Sequence, residues 1–69
     1  MRYALFRKHI VKIEDDNARY AIIVRRGRNY KVLFTFTDHS AAIRQANIVL
    51  AEGEYSDVYL CPVTAKIAP

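Results

Sequence analysis

Three polar turn clusters, Asp15-Asp16-Asn17, Arg26-Gly27-Arg28-Asn29 and Glu52-Gly53-Glu54, cut this 69-residue chain into short periodic runs. Turn residues of these kinds supply positive φ or local side-chain hydrogen bonds, so each cluster reverses the chain. The runs between them are too short for more than one or two elements each. A single α+β domain over residues 1–69 is therefore expected, near the lower size limit for a core without disulfides or metal. A hydrophobic content of 52% with only two Gly and two Pro argues for a folded chain without a flexible linker.

Residues 19–25 and 30–37 are rich in Tyr, Ile, Val, Phe and Thr and flank a short Gly-containing loop, which predicts a β-hairpin. In the second strand Tyr30, Val32, Phe34 and Phe36 alternate with Lys31, Leu33, Thr35 and Thr37, so the first set is expected to face the core and Lys31 to face solvent. From residue 40 to 50 the period lengthens: Ala42, Ile43, Ala46, Val49 and Leu50 recur at helical spacing. Asp38 or Thr37 can cap the helix start, and Gly53 can take the left-handed conformation that ends it. Residues 55–63 read as a last strand with Tyr55, Val58, Leu60 and Val63 inward and Pro62 at its edge or end. In the first fourteen residues Tyr3, Phe6, Ile10 and Ile13 fit a helical stripe. The β-branched Ile10, Val11 and Ile13 favour strand, with residues 10–14 pairing with 19–23 across the Asp-Asp-Asn turn. The expected order is β-β-β-α-β, a sheet of three to four antiparallel strands with one helix on one face and the other face open to water or a partner.

Charge is distributed unevenly along this framework. Nine of the eleven Lys/Arg fall in residues 1–31, against three of the seven Asp/Glu. A one-sign surface steers and concentrates an oppositely charged partner, so the partner is expected to be an acidic protein surface or nucleic acid. Arg25, Arg26 and Arg28 form the sharpest local feature, because guanidinium groups on a tight turn can make planar bidentate contacts to phosphate or carboxylate. Lys31, Arg7, Lys8 and Lys12 extend the expected contact set. His9 lies among these cations and could join them when protonated. Tyr20 and Tyr59 are candidates for aromatic contacts, since single-strand binders interleave aromatics with cations.

The same residues exclude other classes. Cys61 is the only cysteine, so neither an internal disulfide nor a zinc or redox pair is available, and a reducing, cytoplasmic setting is expected. In an apolar strand it reads as a small buried hydrophobe. Arg7 and Lys8 interrupt the start before a secretory apolar core can form, and the uncharged apolar run from Ala21 to Val24 is far too short for a membrane helix. There is no Gly-rich phosphate loop, no metal-ligand helix and no nucleophile beside a base, so no catalytic residue, metal or cofactor is expected. His39, at the helix start, reads as a surface residue because the dipole disfavours a cation there.

From Arg19 onward the chain resembles a podoviral bacteriophage family of small proteins that inhibit host RNA polymerase by binding its jaw. The resemblance lies in Arg19-Tyr20-Ala21-Ile22-Ile23-Val24, Tyr30-Lys31-Val32-Leu33-Phe34, Asp38 with Ser40-Ala41-Ala42-Ile43, and the closing segment from Tyr55 through Leu60-Cys61-Pro62-Val63 to Ala68-Pro69. It implies a similar fold and a phage-encoded, non-enzymatic interaction protein acting in a bacterial cytoplasm. Two last-strand arginines that make the family's polymerase contact align with Tyr59 and Cys61 here, so those contact residues are not carried over. An RNA polymerase-type or CRISPR-type machine is thus the expected target, reached through the basic sheet and hairpin. Direct DNA or RNA binding by the sheet face and a small homodimer are the competing expectations.

Overall fold

The structure, a computed structural model, describes residues 2–6 and 9–64, with Leu5 and His9 described by backbone only. Five strands and one helix follow in the order β1 (Arg2–Phe6), β2 (His9–Ile13), β3 (Tyr20–Arg26), β4 (Asn29–Phe36), α1 (His39–Glu52) and β5 (Asp57–Thr64). The α+β class holds, but residues 2–13 contribute two strands, so the sheet has five. All neighbours are antiparallel, in the spatial order β2-β1-β5-β3-β4.

The expected pairing of residues 10–14 with 19–23 does not occur. β2 pairs with β1 from Arg2↔Ile13 to Phe6↔His9. Both edges of β3 are already taken, by β4 on one side and by β5 on the other, with Ala21 opposite Cys61 and Ile23 opposite Tyr59. β3 is thus central, and its four consecutive apolar residues, Ala21, Ile22, Ile23 and Val24, are all fully buried. Such an unbroken apolar run is what a strand covered on both faces requires. Pro62, opposite Tyr20, closes the β3 ladder, and the next two residues of β5 pair with β1 at Ala4↔Val63 and Tyr3↔Thr64.

The second face of the sheet is therefore not open. The sheet curls until β1 and β2 lie over the face opposite α1, and Phe6 of β1 meets Tyr30 of edge strand β4 with ring centroids 5.1 Å apart. Ala4, Phe6, Ile13 and Ala18 join Ala21, Ile23 and Cys61 in one buried cluster on that side. On the other side Ile22 and Val24 pack with Val49 of α1 and with partly buried Leu33, Phe36, Ala46, Tyr55, Val58 and Leu60.

A bulge explains why strict alternation fails in β4. The register passes from Ile22↔Phe34 to Ile23↔Val32, so Leu33 is an extra residue and the inward phase switches. Val32 consequently belongs to the hairpin-side core and Leu33 to the helix-side core, while Phe34, expected inside, is 40% exposed. The helix has the expected caps: Asp38 accepts from the Ala41 N–H at 3.0 Å, and Gly53 is left-handed at φ 69°. Its inward stripe is narrower than expected. Ala42 and Val49 are buried and Ala46 half-buried, whereas Ile43 and Leu50, expected in the core, are exposed. Ala at two inward positions lets the helix settle on the sheet along one line, leaving residues at the flank of that line in solvent.

Candidate functional site

The basic residues converge structurally at the β3–β4 turn. Arg26 and Asn29 face each other as the last register pair, and the two-residue turn between them has Gly27 at φ 64°, the positive value tight hairpins need. Beneath the turn Arg25 is engaged within the fold. Its register neighbour on β5 is Asp57, and its Nε donates to Asp57 Oδ2 at 2.6 Å. Its Nη1 donates to the Gly27 carbonyl at 3.0 Å. The charge-assisted hydrogen bond to Asp57, reinforced by the attraction of the carboxylate, pushes the Arg25 pKa further above its already high ordinary value. Arg25 is a clamp that ties the turn to β5, and the Ser56 N–H donating to the Arg25 carbonyl at 3.0 Å adds a second tie.

Above the clamp, Arg26 and Arg28 are exposed, and among the described residues neither side chain has a hydrogen-bond or ion-pair partner. Strand alternation places Arg26 on the same face as Val24, the face that carries α1 further along the sheet. Lys31 lies there too, with Nζ 5.7 Å from the Tyr55 ring centroid, a cation–π contact rather than a freely solvated side chain. Arg26, Asn29, Tyr30 and Lys31 line a shallow depression of about 380 Å³. Two cations, an amide and an aromatic edge thus surround one concave surface. Chemically, the guanidinium offers a planar fork to an oxyanion, the ammonium a point charge, and Asn29 a neutral donor and acceptor. Asn29 and Tyr30 were not among the expected contact residues. Their place beside the turn cluster is the available signal, and strand alternation, which assigns Tyr30 to the core, masks it.

The remaining expected contacts are dispersed. Lys12 is exposed on β2 opposite Tyr3, at the far end of the first hairpin from Phe6, and lines a separate cleft with Glu14, Asp15, Val32 and Thr35. Arg7 and Lys8 lie outside the described residues, as does the side chain of His9. Tyr59 is half-buried with its ring 4.3 Å from Phe6, and Tyr20 is half-buried with its ring 4.8 Å from His39. Both rings are used inside the fold. Cys61 is buried, and desolvation pushes its thiol pKa up, so it stays protonated and unreactive at neutral pH. Among the described residues no group of three His, Cys, Asp or Glu could hold a metal ion. Among the described residues no helix is long and apolar enough to cross a membrane.

No protein-family model, no curated protein and no solved structure matches the chain.

Proposed function

We propose that this chain is a non-enzymatic interaction protein, phage or mobile-element encoded, that acts in the bacterial cytoplasm. In this reading it docks the tip of its β3–β4 hairpin on an acidic surface of an RNA polymerase-type or CRISPR-type machine and inhibits it. The observation that carries this reading is that the Arg26 and Arg28 side chains stand exposed and unpaired on a turn tied to β5 by the Arg25–Asp57 ion pair. A turn tied to β5 presents both guanidinium groups together, so one acidic patch can receive two charge-assisted contacts. Direct nucleic-acid binding is a second reading. The depression lined by Arg26, Asn29, Tyr30 and Lys31 favours it, because cations beside an amide and an aromatic suit a phosphodiester and its base.

The test is capture from bacterial lysate, with and without nuclease, by the native chain and by Arg26→Gln/Arg28→Gln. The expected result is a nuclease-resistant protein partner whose affinity falls at least about tenfold in the double variant. Equal capture by both forms overturns the reading. Binding to random oligonucleotides that weakens steeply with salt transfers it to nucleic acid.

A further inference from the structure

The outer surface of α1 carries charges that the molecule itself does not pair. Arg44 and Glu52 are exposed, and among the described residues neither side chain has an ion pair or hydrogen bond. They stand eight residues apart, about 12 Å along the axis, too far to meet within one helix. Midway between them is Ile48, which is 50% exposed. Next to this row a groove of about 170 Å³ separates α1 from β4, lined by Leu33, Phe34, Gln45, Val49, Glu52, Glu54 and Tyr55. The row therefore reads cation, large aliphatic, carboxylate, at equal spacing, beside a groove of mixed polarity with two carboxylates on its wall.

Reversing the direction of such a row turns it into its own complement. That is the property an isologous two-fold interface requires, since each residue must be answered by its counterpart on the same patch. We propose that α1 docks antiparallel on α1 of a second copy of this chain, with the two-fold axis at Ile48. Ile48 then packs on Ile48 of the partner subunit. Arg44 meets the partner's Glu52, and Glu52 meets the partner's Arg44, so two ion pairs form for one helix contact. The groove beside Glu52 receives the aliphatic stem of the partner's Arg44 over Phe34, with Glu54 as a further carboxylate for its head group. The partner is a second copy, because charge order and spacing match the chain itself and a foreign helix would have to reproduce both.

Sedimentation velocity on the full chain tests this across a concentration series. The native chain is expected to dimerise reversibly. Arg44→Glu alone and Glu52→Arg alone each place like charges opposite one another twice, and each should weaken dimerisation by about tenfold or more. The double variant Arg44→Glu/Glu52→Arg regenerates both pairs with reversed polarity and should restore it. Mixing the two single variants should give a heterodimer that neither forms alone. Both positions changed are exposed on the helix surface, and a circular dichroism melt of each variant confirms its fold. A native chain that stays monomeric, a dimer indifferent to both reversals, or a double variant no better than the singles overturns the proposal. A mixture that fails to associate points instead to a heterologous helix as the occupant.

Discussion

The two faces of β3 bury the same strand by different means. On the hairpin side Ile23 and Ala21 meet a dense cluster in which Ala4, Phe6, Ile13, Ala18 and Cys61 are all buried, and the Phe6 ring lies between Tyr30 and Tyr59. On the helix side Ile22, Val24, Ala42 and Val49 are buried, with half-exposed residues around them, and the helix leaves Ile43, Ile48 and Leu50 in solvent. The side with the more obvious sequence signal is the looser one. An amphipathic stripe announces a helix, but burial is decided by how closely elements approach, and a curled hairpin can press on a sheet along its whole length. The difference also separates structural from functional surface: the hairpin side is closed, whereas the exposed groups available for partners lie on the α1 side and at the turn.

The sharpest way to break this comparison is to truncate one buried residue on each side. Phe6→Ala should cost about 3–5 kcal/mol, because an aromatic packed on two others leaves a large cavity. Val49→Ala should cost about 1–2 kcal/mol, since it removes less volume from a site that solvent already borders. Urea melts of the two variants measure both. If Val49→Ala is the more damaging, the helix side is the true centre of stability.

A second prediction probes the hairpin side through its thiol. Cys61→Ser should cost about 1–2 kcal/mol by placing a hydroxyl where a buried apolar atom stood, with partner capture unchanged. The folded-state thiol pKa is raised by burial, so the unfolded chain ionises first as pH rises. The contribution of Cys61 is thus complete below the unfolded thiol pKa and is lost as pH climbs through the folded value. The native chain should lose stability in alkaline solution relative to Cys61→Ser, and iodoacetamide should label it only as it unfolds. Rapid labelling at neutral pH would show the hairpin side to be open.

The smallest effect is expected at Leu50. At 57% exposure, Leu50→Asp should change stability by no more than about 0.5 kcal/mol, although the helical stripe read from sequence places this residue in the core. A thermal melt decides. A loss of several kcal/mol would mean that α1 rotates onto the sheet by that flank.

What could be read without the fold was whatever depends on neighbours in sequence. The β3–β4 hairpin, the start of α1 at Asp38, its end at Gly53 and the last strand all follow from turn chemistry and period within a few residues. So does the concentration of arginine at the hairpin turn. The fate of each arginine does not. Arg25 differs from Arg26 by one position, yet the pleat points it toward Asp57, thirty-two residues away, and turns a candidate contact into a clamp. The bulge at Leu33 likewise exchanges the faces of β4 through a register that only pairing with β3 sets.

The amino-acid sequence by itself determined the α+β class, the three turns at its polar clusters, the caps of the helix and the basic character of the first half, because these are local consequences of side-chain chemistry. Tertiary structure alone decided that β5 inserts between β1 and β3, and that residues 2–13 fold over the face expected to be open. It also decided that Arg26 and Arg28, rather than the whole basic set, are left free at the turn. The physical reason is that strand order and curl are set by the sum of many weak apolar contacts between distant segments. No single window of sequence contains that sum.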